Sequence, residues 1–139
     1  MTAKEYLQQY GDAVRVAERI KTEYQEELEL ICSIKSSLGG DGTPRGGNIS
    51  KSTETKALRL ADKATELQDA ELEAIRIRQE VFDVIRKIPG EKGDVLYQRY
   101  INLKSWEEVA DAVGYSVRQV HYLHHDGLEE IQHCIELHT

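Results

Sequence analysis

Ser105-Trp-Glu-Glu-Val-Ala-Asp-Ala-Val-Gly-Tyr-Ser-Val-Arg-Gln-Val-His-Tyr-Leu-His-His125 reads as two helices around a tight turn. Ser105 stands where a side-chain oxygen can take an orphan amide of the first turn. Glu108 follows three residues later, the spacing of a capping box. Gly114 supplies the left-handed backbone that a helix stop needs. Ser116 is placed to cap the next helix. Upstream, Asp94-Val-Leu-Tyr-Gln-Arg-Tyr-Ile101 reads as a third short helix with Asp94 as its cap, and Asn102-Leu-Lys104 turns the chain. Three helices in this order form a helix-turn-helix, whose last helix can lie in the major groove of DNA.

A helical wheel over the last segment separates two faces. Val117, Val120, Leu123, Gly127, Leu128, Ile131, Cys134 and Ile135 gather on one side, the expected core face. Arg118, His121, Tyr122 and His125 fall on the other, with Gln119 beside them. These side chains suit a groove: Arg reads guanine edges, Gln can read adenine, and Tyr and His reach phosphates or bases. A solvated helix face can carry the same residues. It is the preceding caps and turn that favour DNA. His124 points toward the core side and is expected to be a half-buried packing residue.

Two long helices precede this module. Leu7, Tyr10, Val14, Ala17, Tyr24, Leu28, Ile31 and Leu38 form an apolar stripe interrupted by Lys21 and Lys35, with Ile20 and Ile34 beside the interruptions. At 1.5 Å per residue such a helix is roughly 50 Å long. Residues 39–50 hold five glycines and a proline, which stop a helix. Ser50, Ser52 or Thr53 then opens a second helix to about Ile88. Its stripe is Ala57, Leu60, Ala64, Leu67, Ala74, Val81, Ile85 and Ile88, interrupted by Glu71 and Arg78. Pro89-Gly90 ends it. A flexible connection between helices of similar length predicts an antiparallel hairpin. Leu72, Ile75, Ile77, Phe82 and Val84 lie off the stripe and need another surface, so self-association is expected.

The chain has 139 residues, 31% of them charged, and a net charge of −7. No apolar run approaches the roughly 18 residues of a membrane span, and the N-terminus has no apolar signal core, which predicts a cytoplasmic protein. Residues 1–88 carry 14 Lys and Arg against 16 Asp and Glu; residues 89–139 carry 4 against 9, and all five His. The expected DNA-binding end is thus the more acidic one, which predicts weak affinity per module and a shallow salt dependence.

Other chemistries find little support in these residues. The glycine-rich stretch lacks the Gly-Lys-Ser/Thr ending and preceding strand of a phosphate loop. His121 with His125, and Cys134 with His138, have helical spacing, yet no compact set of four ligands forms, so no metal is expected. Cys32 and Cys134 lack a CxxC and are expected to be free, buried thiols. Neither a Ser/His/Asp order, paired catalytic carboxylates nor HExxH is present, so no enzyme and no cofactor are expected.

Arg99-Tyr100, Glu107-Glu-Val-Ala110, Gly114-Tyr-Ser116, and the register of Val120, Leu123, Gly127-Leu128 and Ile131 resemble region 4 of bacterial sigma-70-type factors. With Tyr6-Leu-Gln-Gln-Tyr10 and Gly42-Thr-Pro-Arg-Gly46, the whole chain resembles the RinA/ArpU-like late transcriptional regulators of phages. The resemblance implies double-stranded DNA binding and activation of late phage genes with host bacterial RNA polymerase. By position it puts DNA contacts on Val117, Arg118, His121 and Tyr122. This chain departs from the sigma-type pattern in having a single Arg on the recognition helix. It departs again at Gly127, where Ala is usual; a mid-helix Gly costs up to about 1 kcal/mol unless a neighbouring backbone packs there.

The expectation is an all-α protein. A long antiparallel helical hairpin spans 1–88, with helices at about 2–38 and 51–88 around the loop 39–50, and serves oligomerisation or partner binding. A tri-helical, sigma-70 region 4-like helix-turn-helix follows over 91–139. Its DNA-binding residues are Val117, Arg118, Gln119, His121, Tyr122 and His125, and the assembly is a homo-oligomer, most simply a dimer. Two rival readings are a small terminase-like packaging subunit and a protein-only adaptor.

Overall fold

The computed structural model describes residues 1–38 and 47–137, with side chains at 1–33 and 54–136. The chain is all-helical, with no strand among the described residues. Helix α1 is Ala3–Leu38, α2 Gly47–Ile85, α3 Gly90–Leu96, α4 Trp106–Val113 and α5 Val117–Leu137. A π-helical turn, Tyr97–Ile101, continues α3. Among the described residues no helix is long and apolar enough to cross a membrane.

Contacts divide the chain into two units. One comprises Met1–Val14 with Glu73–Thr139, the other Arg15–Leu72. The division therefore does not fall at Pro89-Gly90, between the expected domains 1–88 and 91–139. The physical reason lies at the chain's start. Ala3 and Leu7 are buried in one core with Val81, Ile85, Ile88, Leu96, Tyr100, Ile101 and Ile131. The first turn of α1 is locked by a reciprocal cap: the Glu5 amide donates to the Thr2 hydroxyl at 3.2 Å, and the Thr2 amide to the Glu5 carboxylate at 3.0 Å. Gln132 of α5 accepts the Ala3 amide at 2.8 Å. A second core in the same unit joins Val95, Val109, Ala110 and Val120.

In the other unit only Ala17 and Ile20 are buried among the described side chains. Lys63 of α2 pairs with Glu23 of α1 and, at 3.4 Å, with Glu66.

Several expected boundaries move. Helix α2 starts at Gly47, so Gly47 to Ser50 are helical and Ser50, Ser52 and Thr53 lie inside the helix instead of capping it. Residues 39–46 lie outside the described residues. α2 ends at Ile85, short of Ile88, because Pro89 disfavours helical backbone in the residue before it. The chain tightens there through Lys87 N–H to Val84 and Ile88 N–H to Ile85 carbonyl bonds. α3 begins at Gly90, behind an extended Pro89, so Asp94 is an exposed interior residue and not the cap. Of the two thiols, Cys32 is exposed and not buried; Cys134 is half-buried, and both are free.

Gly127 has a tertiary explanation. A Cβ there would lie 2.9 Å from Cδ1 of the fully buried Leu96. The close neighbour is thus a side chain of α3.

Candidate nucleic-acid interface

Local chemistry shapes the α4–α5 corner. The Ser105 hydroxyl accepts the Glu108 amide at 3.3 Å, and it also donates to the Glu108 carboxylate at 3.2 Å. The box thus closes side chain to side chain. Gly114 ends α4 in the left-handed region at φ 78°. Ser116 accepts the Gln119 amide at 3.2 Å and caps α5. The Tyr115 hydroxyl donates to the Glu91 carboxylate, tying this corner to α3; that bond and burial raise the phenol's pKa.

The six candidate contact residues separate into three groups. Arg118, Gln119 and Tyr122 are exposed on one face of the first turns of α5. The Arg118 guanidinium reaches the Tyr122 hydroxyl at 3.5 Å and stands 5.9 Å from its ring. With Ser116, Leu123 and Asp126 they border a shallow depression of about 320 Å³. His121 and His125 are exposed but engaged. The His121 ring packs on the Trp106 indole at 4.5 Å, and His125 Nε2 meets Glu129 at 3.1 Å. Val117 is half-buried and packs against the second core.

Beneath this face lies a cluster only partly visible in the sequence. The π-helical turn opens α3 so that Asn102 N–H bonds to the Tyr97 carbonyl at 3.1 Å. It carries Arg99 and Tyr100. Arg99 donates to the Lys104 carbonyl at 2.8 Å and lays its guanidinium 4.3 Å from the Trp106 ring centre. The turn between them forces Leu103 into the left-handed region at φ 55°. Tyr100 bonds to His124 Nε2 at 2.6 Å and stacks on its ring. The His124 edge meets Trp106 at 4.7 Å. His124 is buried, with 8% of its surface exposed, beyond the half-burial expected of it. Burial first, then the positive charges of Lys4 and Arg99 and the neighbouring His121 and His125, lower its pKa to about 4. Burial pushes the Tyr100 phenol up to about 12. Both groups are neutral near pH 7, and their bond ties α5 to α3.

Arg99 and Trp106 are the residues that wheel-based reasoning missed. They lie on different elements, and only the left-handed turn between them brings them together. Among the described residues no three His, Cys, Asp or Glu gather as a metal site; His138 lies outside those residues. The outer face of α4 is acidic through the exposed Glu107, Glu108 and Asp111. In comparisons with known proteins, no protein family, no curated protein and no solved structure matches this chain.

Proposed function

We propose that the chain is a sequence-specific DNA-binding transcriptional regulator of phage type. It activates late genes together with host RNA polymerase and works as a dimer. In this reading α3, α4 and α5 form the sigma-70 region 4-like helix-turn-helix, and the long parts of α1 and α2 form the antiparallel hairpin. The observation that carries it is the exposed trio Arg118, Gln119 and Tyr122, presented at the start of a helix that follows a capped, left-handed turn. Arg can bond a guanine edge bidentately, Gln can read adenine, and Tyr can reach a phosphate. Trp106 and Tyr100 hold the helix from behind.

The test is selection of bound fragments from genomic DNA, followed by footprinting. Replacing Arg118 and Tyr122 together with Ala is expected to abolish specific protection, a loss of roughly 10- to 100-fold, at unchanged thermal stability. An unchanged footprint rejects the site. The acidic outer face of α4 favours a second reading, a protein-only adaptor. Failure to shift any DNA at low salt supports that one.

A further inference from the structure

Leu72 and Ile75 of α2 are 57% and 64% exposed. They belong to a second stripe on that helix, Leu58, Ala61, Thr65, Gln68, Leu72, Ile75 and Gln79, spaced by threes and fours as in a helix-pairing seam. It lies one residue behind the stripe that carries the buried Ala74 and Val81. Glu71 and Arg78, which interrupt the first stripe, flank the second on one side. Asp69 and Arg76 flank it on the other.

We infer that α2 pairs antiparallel with α2 of a second copy of this chain, crossing at Leu72 and Ile75; this rests on the dimeric reading above. The inference comes from charge complementarity within the unbroken helix 68–79. In an antiparallel pair with Leu72 opposite the partner's Ile75, Glu71 falls opposite the partner's Arg78. On the other edge Asp69 falls opposite the partner's Arg76. Two-fold symmetry repeats each contact. Gln68 meets the partner's Gln79 across the seam. The Gln79 amide nitrogen already donates to Asp83 at 3.0 Å, so its carbonyl is left to accept.

The charges are available for this arrangement. Among the described residues Asp69, Glu71 and Arg78 enter no ion pair or hydrogen bond. Arg76 spends three N–H groups on Glu73 and Glu80, which leaves about two of a guanidinium's five. A parallel pairing would instead send Glu71 to the partner's Arg76, already held by Glu73 and Glu80, and Arg78 to the partner's Asp83, already bonded to Gln79 and 3.9 Å from Arg86. Two turns further out the antiparallel register sets Asp62 against the partner's Asp83. That like-charge pair confines the contact to residues 68–79. A patch this short lies below the roughly 1,000 Å² of a stable interface, so the dimer is weak, with Kd on the order of 100 μM.

Sedimentation equilibrium of the full chain from about 10 to 500 μM tests this. Glu71→Arg alone and Arg78→Glu alone each set like charges against the partner and are expected to stay monomeric. Mixed one to one, they restore both symmetry-related copies of the contact between positions 71 and 78 and are expected to dimerise. Three outcomes overturn the inference. A natural chain that stays monomeric throughout removes the dimeric reading as well. A dimer indifferent to both substitutions keeps that reading and removes this surface. Two monomeric variants whose mixture stays monomeric remove the antiparallel register. DNA binding by a monomer leaves the regulatory reading intact in each case.

Discussion

The two units of this molecule use the same helical material differently. In the unit of Met1–Val14 with Glu73–Thr139, Leu7, Val81, Val95, Leu96, Val109, Val120 and Ile131 are all fully buried. Among the described side chains of Arg15–Leu72 burial is confined to Ala17 and Ile20, and α2 contributes none between residues 54 and 72. Apolar burial stabilises by roughly 25 cal/mol per Å², so the first unit carries its own core. The second relies on half-buried contacts and on charges such as Lys63 between Glu23 and Glu66. Exposed pairs of that kind contribute little. A long amphipathic helix is therefore weak evidence for a self-sufficient domain, because its stripe needs a facing surface.

Core truncation is the hardest test of this contrast. Ile131→Ala is expected to cost about 3–5 kcal/mol in urea unfolding. Leu67→Ala, at a half-buried site of the other unit, is expected to cost roughly 1 kcal/mol. Equal losses would break the comparison.

Acid is the next largest perturbation, and through His124 it acts on the cored unit. His124 ionises near its ordinary value of 6.5 when unfolded but only at about 4 when folded. The folded state thus binds its proton less readily. Its stabilising share is complete above about pH 6.5 and is lost as pH falls toward 4, on the order of 3 kcal/mol in total. Chemical denaturation at steps between pH 7 and 4 should show this slope, and His124→Gln should flatten it.

Smaller effects sharpen the picture inside the cored unit. Ser105→Ala removes the cap of α4 and is expected to cost about 1 kcal/mol, read as a lower melting temperature. Gly127→Ala gains helix propensity but presses on the fully buried Leu96; a net loss of roughly 1 kcal/mol is expected. A stabilised Gly127→Ala protein would show that Leu96 repacks freely.

What could be read from the sequence follows the range of the forces involved. Ser105, Gly114 and Ser116 act within four residues of themselves, and α4 begins and ends where they predict. The wheel over α5 separated exposed Arg118, Gln119 and Tyr122 from buried Val120 and Ile131 for the same reason. It does not show that His121 packs on Trp106 or that His125 meets Glu129, because exposure on a wheel does not report partners. Thr2 and Glu5 form a capping box whose signature also stands in the sequence.

Local chemistry by itself thus determined the helical class, the α4–α5 corner and the two-faced α5. Tertiary structure alone decided where Ala3 and Leu7 bury, why position 127 is Gly, and how Arg99, Tyr100, Trp106 and His124 assemble. These depend on groups far apart in the chain, such as the Ala3 amide held by Gln132. Caps and turns satisfy neighbouring backbone groups and leave a local signature. Burial and long-range hydrogen bonds are paid for by surfaces that meet only once the helices have packed.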